Sequence, residues 1–341
     1  MKMKNILVSA FVLLAATCFG QNQIDSLVNI GVQYHDNGEY EKAIEVYRSA
    51  LEIDPLSSLV HCELAMTCDY AGYHEEAIKH CDIALEQNTE HLELAYVIKG
   101  TALDHLGKTE QAIEVYNQGL SEYTDSYLLL YNLAVTYASI PDYDNAEWAF
   151  VFAILNNPYH ASSHYSLALA MEAQHKRIQS ILGLYYFLLL EPTSERAKIA
   201  YPLLMEQICV KTQEEDNHTM NIDSPVNASS LESDFAPAEL ILTMIQQSNT
   251  SAEKKDKNPE ELFFENTKTL FTALGELNAN LKSSGFWWRF YVTRFAELAT
   301  TDFLDVFCNY ISMSSGAATK RGSEEKNIGK LARFAKWVNE Q

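Results

Sequence analysis

Basic residues are scarce in this 341-residue chain, which carries 25 Lys and Arg against 46 Asp and Glu, a formal net charge of −21. Phosphate groups are contacted by clustered Lys and Arg, so this deficit excludes a nucleic-acid-binding role and disfavours an anionic membrane surface as a partner. Residues 21–251 hold 34 acids and 10 bases, whereas residues 252–341 hold 12 and 13. The acidic character therefore belongs to the first part of the chain.

Motifs of the common catalytic sites are also missing. The chain contains no zinc-protease helix motif, no nucleophile elbow, no phosphate-binding loop and no dinucleotide-binding fingerprint. Catalysis needs a nucleophile, a base and a group that orients the base, and no such set stands out in the sequence. The sequence therefore predicts a non-catalytic protein without a cofactor. An enzyme with its site in the second half of the chain is kept as a less favoured alternative.

Long apolar runs are absent except at the amino terminus, where one extends from Ile6 to Thr17 behind Lys2 and Lys4. This run is too short for a membrane-spanning helix, and with Gly20 at its end it is typical of a secretory signal peptide. We therefore expect residues 1–20 to be removed. The flanks resemble those of envelope proteins of Gram-negative bacteria, particularly Bacteroidetes, so the expected location is the periplasm or the cell envelope.

Cysteines are few, and one of the six, Cys18, lies inside the predicted signal peptide. Lipid attachment to Cys18 is the alternative to simple cleavage and would tether the protein to a membrane, although Thr17 fits poorly before a lipidated cysteine. An exported location allows disulfides, and the odd number of remaining cysteines leaves at least one unpaired within the chain. Cys68 and Cys81 are the nearest candidates for a pair.

A period of about 34 residues is what the sequence does contain. Segment ends fall 34, 35, 34 and 34 residues apart at Pro55, Thr89, Thr124, Pro158 and Pro192. A turn residue recurs inside each segment, at Gly38, Gly72, Gly107, Pro141 and His175. Small residues recur on both sides of that turn, for example Gly31 and Ala43. Antiparallel helices approach to about 8–10 Å only where the crossing residues are small. Each period therefore predicts a pair of helices, and in the first pair we expect Gly31 opposite Ala43. At Gly38 we expect left-handed backbone geometry.

These spacings resemble those of the tetratricopeptide repeat family. Five copies can be aligned, at Ile24–Ser57, Ser58–His91, Glu93–Ser126, Tyr127–His160 and Ala161–Ser194. The resemblance implies an all-α fold, a right-handed superhelical solenoid over residues 21–210 in which a helix from Arg196 to Val210 closes the stack. Phe187 departs from the small residue expected at its position, so the last copy is expected to pack against the segment that comes after it in the chain.

The remainder of the chain is predicted to be a linker with one short helix, residues 211–258, and a carboxy-terminal helical module, residues 259–341. The adjacent Trp287 and Trp288 indicate either an aromatic platform for a ligand or a compact helical core, and we favour the core. The last helix is expected to dock through an apolar face formed by Leu331, Phe334, Ala335 and Val338.

The family resemblance also implies a concave groove lined by the first helix of each repeat and used to hold a peptide or protein. The implied groove residues are Val28, Val32, Glu63, Met66, Val97, Thr101, Asp104, Tyr131, Val135, Tyr165 and Leu169. An acidic margin is completed by Asp69 and Glu172. The places of the carboxylate clamp found in some family members are filled by Val28, Val32, Glu63, Leu94 and Ile98, so no such clamp is predicted.

The partner predicted by this groove is a protein or peptide that is neutral or basic and carries apolar anchors, because an anionic partner would be repelled. Tyr131 and Tyr165 are the candidate anchors. Two alternatives stay open, namely that the acidic surface is simply solvated and that these tyrosines pack in the core. The oligomeric state is not indicated.

One cluster of potential zinc ligands occurs in the second copy and comprises His61, Cys62, Cys68, His74, His80 and Cys81. The resemblance assigns Cys68 and Cys81 to core positions that Tyr fills in other copies, which favours small buried side chains. His74 and His80 are six residues apart, a spacing that does not place both beside one metal ion as a spacing of four would. The sequence therefore predicts no metal site.

The function predicted from all of this is a non-catalytic protein–protein interaction scaffold of the bacterial cell envelope. The alternative is a structural lipoprotein component of an outer-membrane assembly complex, since the chain also resembles the repeat lipoproteins of barrel assembly.

Overall fold

The structure is a computed structural model that describes residues 22–87, 92–209, 234–251, 253–254, 257–281, 285–315 and 325–340. The predicted signal peptide, including Cys18, and linker residues 211–233 lie outside the described residues. The chain divides into two compact units, unit 1 up to Asp142 and unit 2 from Tyr143 onward. That boundary falls inside the fourth predicted repeat, and the predicted division into domains stays a prediction. Among the described residues, no helix has both the length and the apolar character needed to cross a bilayer.

Unit 1 consists of three helix pairs and a seventh helix, which match the first three predicted repeats and the first half of the fourth. Its helices are α1 (22–36), α2 (Tyr40–Leu51), α3 (Ser58–Tyr70), α4 (His74–Glu86), α5 (Glu93–His105), α6 (Thr109–Glu122) and α7 (Tyr127–Ser139). Helix α3 packs against its partner α4 and against α5, the first helix of the next pair, while α5 packs against α6 and α7 in the same way. Such nearest-neighbour packing is how a solenoid accumulates a continuous core from units that cannot fold alone.

The helices of a pair approach closely because a glycine on one helix accommodates a tyrosine ring from the other. A Cβ atom at Gly31 would lie 2.4 Å from Cε1 of Tyr47, and one at Gly100 would lie 2.4 Å from Cε1 of Tyr116. Both tyrosines are buried. The atoms nearest to Gly31 thus belong to Tyr47, not to Ala43 as the small-residue pattern suggested. A large ring in a glycine notch fills the crossing more completely than two small residues would.

The turns between paired helices have the predicted left-handed backbone. The φ angles are +74° at Gly38, +85° at Gly72 and +71° at Gly107. The amide after each glycine then donates to a carbonyl at the end of the first helix, for example from Glu39 to Tyr34 at 2.8 Å. Glycine suits this position because a Cβ atom is unfavourable at positive φ.

Replacing His175 by glycine is expected to stabilise unit 2, because His175 adopts the same left-handed conformation, φ +59°, with a side chain that disfavours it. The exposed imidazole makes the substitution free of packing losses. We expect a gain of about 1 kcal/mol in the free energy of unfolding, or about 2–4 °C in Tm. His175→Asn should give an intermediate gain, since Asn is the usual alternative to Gly in the left-handed position at a helix end. Equal melting temperatures for His175→Gly and wild type would contradict the expectation.

Unit 2 contains the second helix of the fourth predicted repeat, the helix pair of the fifth and the helices that come after them. Its elements are α8 (Tyr143–Asn156), α9 (Ala161–Ala173), α10 (Arg177–Leu190), α11 (Ala197–Cys209), α12 (Ala236–Ser248), α13 (Pro259–Leu281), a π-helix (Trp287–Val292), α14 (Thr293–Thr300), α15 (Leu304–Ile311) and α16 (Glu325–Asn339). No strand occurs in the described part of the chain. The predicted all-α fold class is confirmed, and the closing helix expected from Arg196 to Val210 is observed as α11.

Helix α10 is the centre of unit 2 and is buried continuously from Ile178 to Leu188. It packs against α9, α11, α12, α15 and the π-helix. An apolar surface all round a helix requires neighbours on every side, which explains why its sequence lacks a polar stripe. Phe187, where the repeat pattern calls for a small residue, lies in this enclosed segment.

Helix α12 lies within the predicted linker and is packed into unit 2. Its buried Glu239 accepts the backbone N–H of Ile178 at 3.0 Å and so caps the first turn of α10. Burial raises the pKa of Glu239 above its usual value, while this hydrogen bond and the charge of Arg177 act in the opposite direction. The guanidinium of Arg177 in turn donates to the side chain of Gln246 at 2.9 Å. A negative side chain at a helix amino terminus is stabilised by the helix dipole.

The aromatic segment of the second half forms a core, as favoured, and the aromatic-platform interpretation is wrong. Trp287 and Trp288 are only 8% and 2% exposed. Their side chains diverge, because the indole N–H of Trp287 donates to Glu147 at 2.7 Å while Trp288 stacks on Phe235 with ring centroids 4.5 Å apart. The wider turn of the π-helix carries both rings into the interior.

The docking face of α16 differs from the predicted one. Phe334 is buried, but Leu331 and Ala335 are exposed. Trp337 stacks on Phe334 and lies within 6.2 Å of the ring of Phe303. The error arose because Leu and Ala were counted as apolar anchors, whereas the two aromatic rings supply the contact.

Candidate functional site

The groove residues predicted in unit 1 lie on the first helices α1, α3, α5 and α7. Each of them is half-buried or exposed, and these residues, named here the first-helix surface, are Val28, Val32, Glu63, Met66, Val97, Thr101, Asp104, Tyr131 and Val135. Helix α3 contacts α5, and α5 contacts α7. The residues of the first-helix surface on these three helices therefore lie on neighbouring helices. Partial exposure is what a binding surface requires, because fully buried side chains cannot meet a partner.

Two polar members of the first-helix surface are tied to the tyrosines that fill the glycine notches. The hydroxyl of Tyr47 donates to the carboxylate of Glu63 at 3.4 Å, and the hydroxyls of Thr101 and Tyr116 lie 3.1 Å apart. Burial raises the pKa of Glu63 above its ordinary value. These groups therefore orient the core rings, so that Glu63 contributes less to an acidic margin than the sequence suggested.

Asp104 is engaged in a similar way. Its carboxylate accepts hydrogen bonds from Thr109 and Thr136, both at 3.1 Å. Because these threonines belong to α6 and α7, the carboxylate links the third helix pair to the first helix of the next. The apolar members Val28, Met66 and Val97 also pack partly against the core.

The two groove residues predicted in unit 2 lie on α9. Leu169 is 37% exposed. Tyr165 is half-buried and packs against Phe187, with ring centroids 4.7 Å apart. The guanidinium of Arg196 lies 5.9 Å from the ring of Tyr165 and 5.3 Å from that of Phe187, distances typical of cation–π contacts. This packing favours a structural role for Tyr165, while Tyr131 on α7 stays a candidate anchor.

The cysteines of the His and Cys cluster are core residues. Cys68 and Cys81 are fully buried, and all five described cysteines are free thiols, so the Cys68–Cys81 disulfide considered above is absent. Burial raises the pKa of the Cys62 thiol to about 11 and that of Cys68 to about 12. Buried thiols of this kind are poor nucleophiles and poor metal ligands, because the thiolate is the reactive form.

The histidines of that cluster do not converge on one point. Nε2 of His61 donates to the carbonyl of Pro55 at 3.0 Å, and its Nδ1 lies 2.9 Å from Nδ1 of His80. His74 is turned away toward Asp69. The six residues grouped by their closeness in sequence are therefore not a ligand set.

Unit 2 repeats the histidine–proline contact in its interior, a feature the sequence reasoning missed. Nε2 of His164 donates to the carbonyl of Pro158 at 2.9 Å, and the hydroxyl of Tyr291 donates to its Nδ1 at 2.7 Å. Burial lowers the pKa of His164 to about 3. The equal spacing of Pro55 to His61 and Pro158 to His164 was visible in the sequence as a sign of this contact.

An apolar cavity of about 50 Å³ lies in unit 2 between α10, α14 and α16. Its lining includes Tyr186, Leu190, Leu298, Phe334 and Trp337. Arg294 is the one charged residue in the lining, which contains no carboxylate, histidine or cysteine. The cavity thus offers apolar contact and one positive charge, not the acid and base of a catalytic set.

Comparisons with known proteins agree with the helix pairs. The tetratricopeptide repeat family matches residues 24–55 and 94–125. Human tetratricopeptide repeat protein 21A is 29% identical over 106 residues, which cover 31% of this chain and only 8% of that relative's length.

Solved structures similar to this chain have low sequence identity. TTC0263, a tetratricopeptide repeat protein of Thermus thermophilus, is 19% identical with a TM-score of 0.48, over 53% of this chain and 98% of its own. PilF of Pseudomonas aeruginosa is 17% identical with a TM-score of 0.47, over 70% of this chain and 97% of its own. Because family models match the first and third helix pairs directly, residues 24–55 and 94–125 of the chain are tetratricopeptide repeats.

Proposed function

We propose that this protein is a non-catalytic scaffold that holds a neutral or basic protein or peptide on its first-helix surface. The observation that carries the proposal is the half-exposed apolar row of Val32, Met66, Val97, Tyr131 and Val135 on consecutive first helices. Repeat solenoids offer extended surfaces of this kind, and a partner with apolar anchors would bury the row. The net charge of −21 favours partners that are not themselves acidic.

The protein is proposed to act in the bacterial cell envelope, on the basis of its apolar amino-terminal run behind two lysines. A structural lipoprotein of an outer-membrane assembly complex is the second candidate. It rests on Cys18 at the end of that run, and lipid on Cys18, detected by mass spectrometry of the mature amino terminus, would favour it.

Tyr131→Ala is expected to weaken partner binding by about tenfold or more, because truncating an aromatic anchor at an interface commonly costs about 2 kcal/mol or more. The probe is a set of peptides selected on the immobilised protein from a displayed random library, and affinities are measured by fluorescence anisotropy. The selected peptides should be neutral or basic and should carry apolar side chains. Tyr159→Ala in unit 2, where the ring is 66% exposed, is the matched control and should leave affinity unchanged.

Circular dichroism of each variant confirms that the helices are intact. A selection that yields acidic peptides would contradict the proposed partner chemistry. Equal affinities for Tyr131→Ala and wild type would remove the first-helix surface as the binding site.

A further inference from the structure

Three potential metal ligands from three helices of unit 1 converge at one point, named here the Asp–His cluster. Asp69 lies near the end of α3, His74 at the start of α4 and His105 at the end of α5. Oδ1 of Asp69 lies 2.6 Å from Nδ1 of His74 and 3.2 Å from Nδ1 of His105. All three ligand atoms lie within 4.8 Å of one another. Among the described residues, it is the group of three His, Cys, Asp or Glu side chains whose potential ligand atoms lie this close together.

The neighbouring repeats show that the fold does not need these residues at this place. The equivalent positions between the first two helix pairs hold His35, Tyr40 and Tyr70, whose rings contact one another at centroid distances of 5.0–6.0 Å. One repeat further on, Asp104 instead accepts a hydrogen bond from Thr109. Ring contacts or a hydrogen bond therefore occupy the equivalent place in the neighbouring repeats. The combination of Asp69, His74 and His105 is a property of the middle copy.

The carboxylate of Asp69 is nearly buried beside the two histidines. Its side chain is only 10% exposed, and the partners in its ion pairs are His74 and His105, which are charged only when protonated. Burying a carboxylate is costly unless a positive charge is near. A bound divalent cation would supply that charge at a pH where imidazole is neutral, and neutral imidazole is the form that binds metals.

Geometry and ligand type select the metal. Zinc accepts imidazole nitrogen and carboxylate oxygen at about 2.0–2.2 Å, which places tetrahedral ligand atoms about 3.3 Å apart. The distance from Asp69 to His105 already has this value, and that from Asp69 to His74 must widen by less than about 1 Å. His105 is 51% exposed, so the site has an open side.

We propose that Asp69, His74 and His105 bind a zinc ion, with the fourth coordination position open to solvent. The ion would join the second helix pair to the first helix of the third. The sequence prediction of no metal site considered His74 only together with the cysteines and the other histidines of its own repeat. It therefore missed Asp69 of the same repeat and His105, which the stacking of repeats brings to His74. The proposal is independent of the first-helix surface and of any partner.

The test is a titration of zinc into the untagged, metal-free mature chain, in which isothermal calorimetry measures the stoichiometry and the affinity. We expect one zinc ion per chain. His105→Ala is the main variant, because its side chain is 51% exposed and its ring contact, at a centroid distance of 4.9 Å, is with His74 of the cluster itself. It should lower affinity by at least about tenfold. Asp69→Asn should lower it further. His175→Asn removes an exposed histidine outside the cluster and should leave the affinity unchanged.

Cobalt(II) gives a second readout, since a low-symmetry nitrogen and oxygen site produces visible absorption bands that His105→Ala should abolish. The absence of stoichiometric zinc binding by the wild type would overturn the proposal. So would binding that survives His105→Ala and Asp69→Asn but is lost in His80→Gln, because the metal would then belong to the His61–His80 pair. Helix content of every variant is checked by circular dichroism, and His105→Ala alone decides the matter if Asp69→Asn fails to fold.

Discussion

Gly100→Ala is expected to destabilise unit 1 by about 2–3 kcal/mol, although alanine is the better helix former. The new Cβ atom would lie 2.4 Å from Cε1 of Tyr116. The ring cannot move outward cheaply, because Tyr116 is buried and its hydroxyl lies 3.1 Å from that of Thr101. The clash therefore outweighs the gain of about 1 kcal/mol in helix propensity. Thermal and urea unfolding followed by circular dichroism measure the loss.

The control is Gly329→Ala on α16, where a Cβ atom would meet nothing within 4 Å and where no destabilisation is expected. A double variant, Gly100→Ala with Tyr116→Cys, reproduces the pair that the second repeat uses, Ala65 and Cys81, both fully buried. Its loss should be smaller than the sum of the two single losses by more than about 1 kcal/mol, as expected for residues in contact. Strict additivity would show that the glycine and the tyrosine do not share one notch.

Acidification is expected to destabilise unit 2 through His164. The pKa of His164 is lowered to about 3 in the folded protein by burial, whereas an unfolded histidine titrates near 6.5. As pH falls below about 6.5 the unfolded chain binds a proton that the folded chain does not. The free energy of unfolding should therefore fall by about 1.4 kcal/mol per pH unit between about pH 6 and pH 4 from this residue alone, and the loss should level off near the folded pKa.

The measurement compares urea unfolding of wild type and His164→Gln at several pH values from about 7 to about 4. The variant removes the titrating group, so its stability should depend less steeply on pH, while it loses some stability at neutral pH through the altered contacts with Pro158 and Tyr291. His160, whose pKa is also lowered by burial, titrates in both proteins and cancels in the comparison. Parallel pH curves for the two proteins would contradict the assignment.

The repeat and its helices could be predicted because their determinants are local and periodic. Gly38, Gly72 and Gly107 recur where the backbone must turn left-handed, and the structure has that turn at each of them. Gly31 and Gly100 were rightly placed at helix crossings. The residues opposite them could not be predicted, because the partner of a notch depends on how side chains on two helices interdigitate, which spacing alone does not define.

The parts that sequence reasoning missed depend on contacts between segments far apart in the chain. Glu239 reaches Ile178 across 61 residues, so the cap on α10 had no local sign. The Asp–His cluster is different, since Asp69 and His105 lie one repeat apart and the period could have revealed them. It was missed because ligands were sought within a repeat, while stacking brings together equivalent ends of successive repeats.

The complete enclosure of α10 bears on how the protein is made. The buried run from Ile178 to Leu188 is covered on one side by α9 and on others by α11, α12, α15 and the π-helix, which are synthesised later. A nascent chain that has emerged only as far as α10 therefore exposes about three turns of apolar side chains to solvent. The last repeat must wait for translation of the distal helices before it can mature, and a prematurely terminated polypeptide would be a substrate for chaperones and proteases.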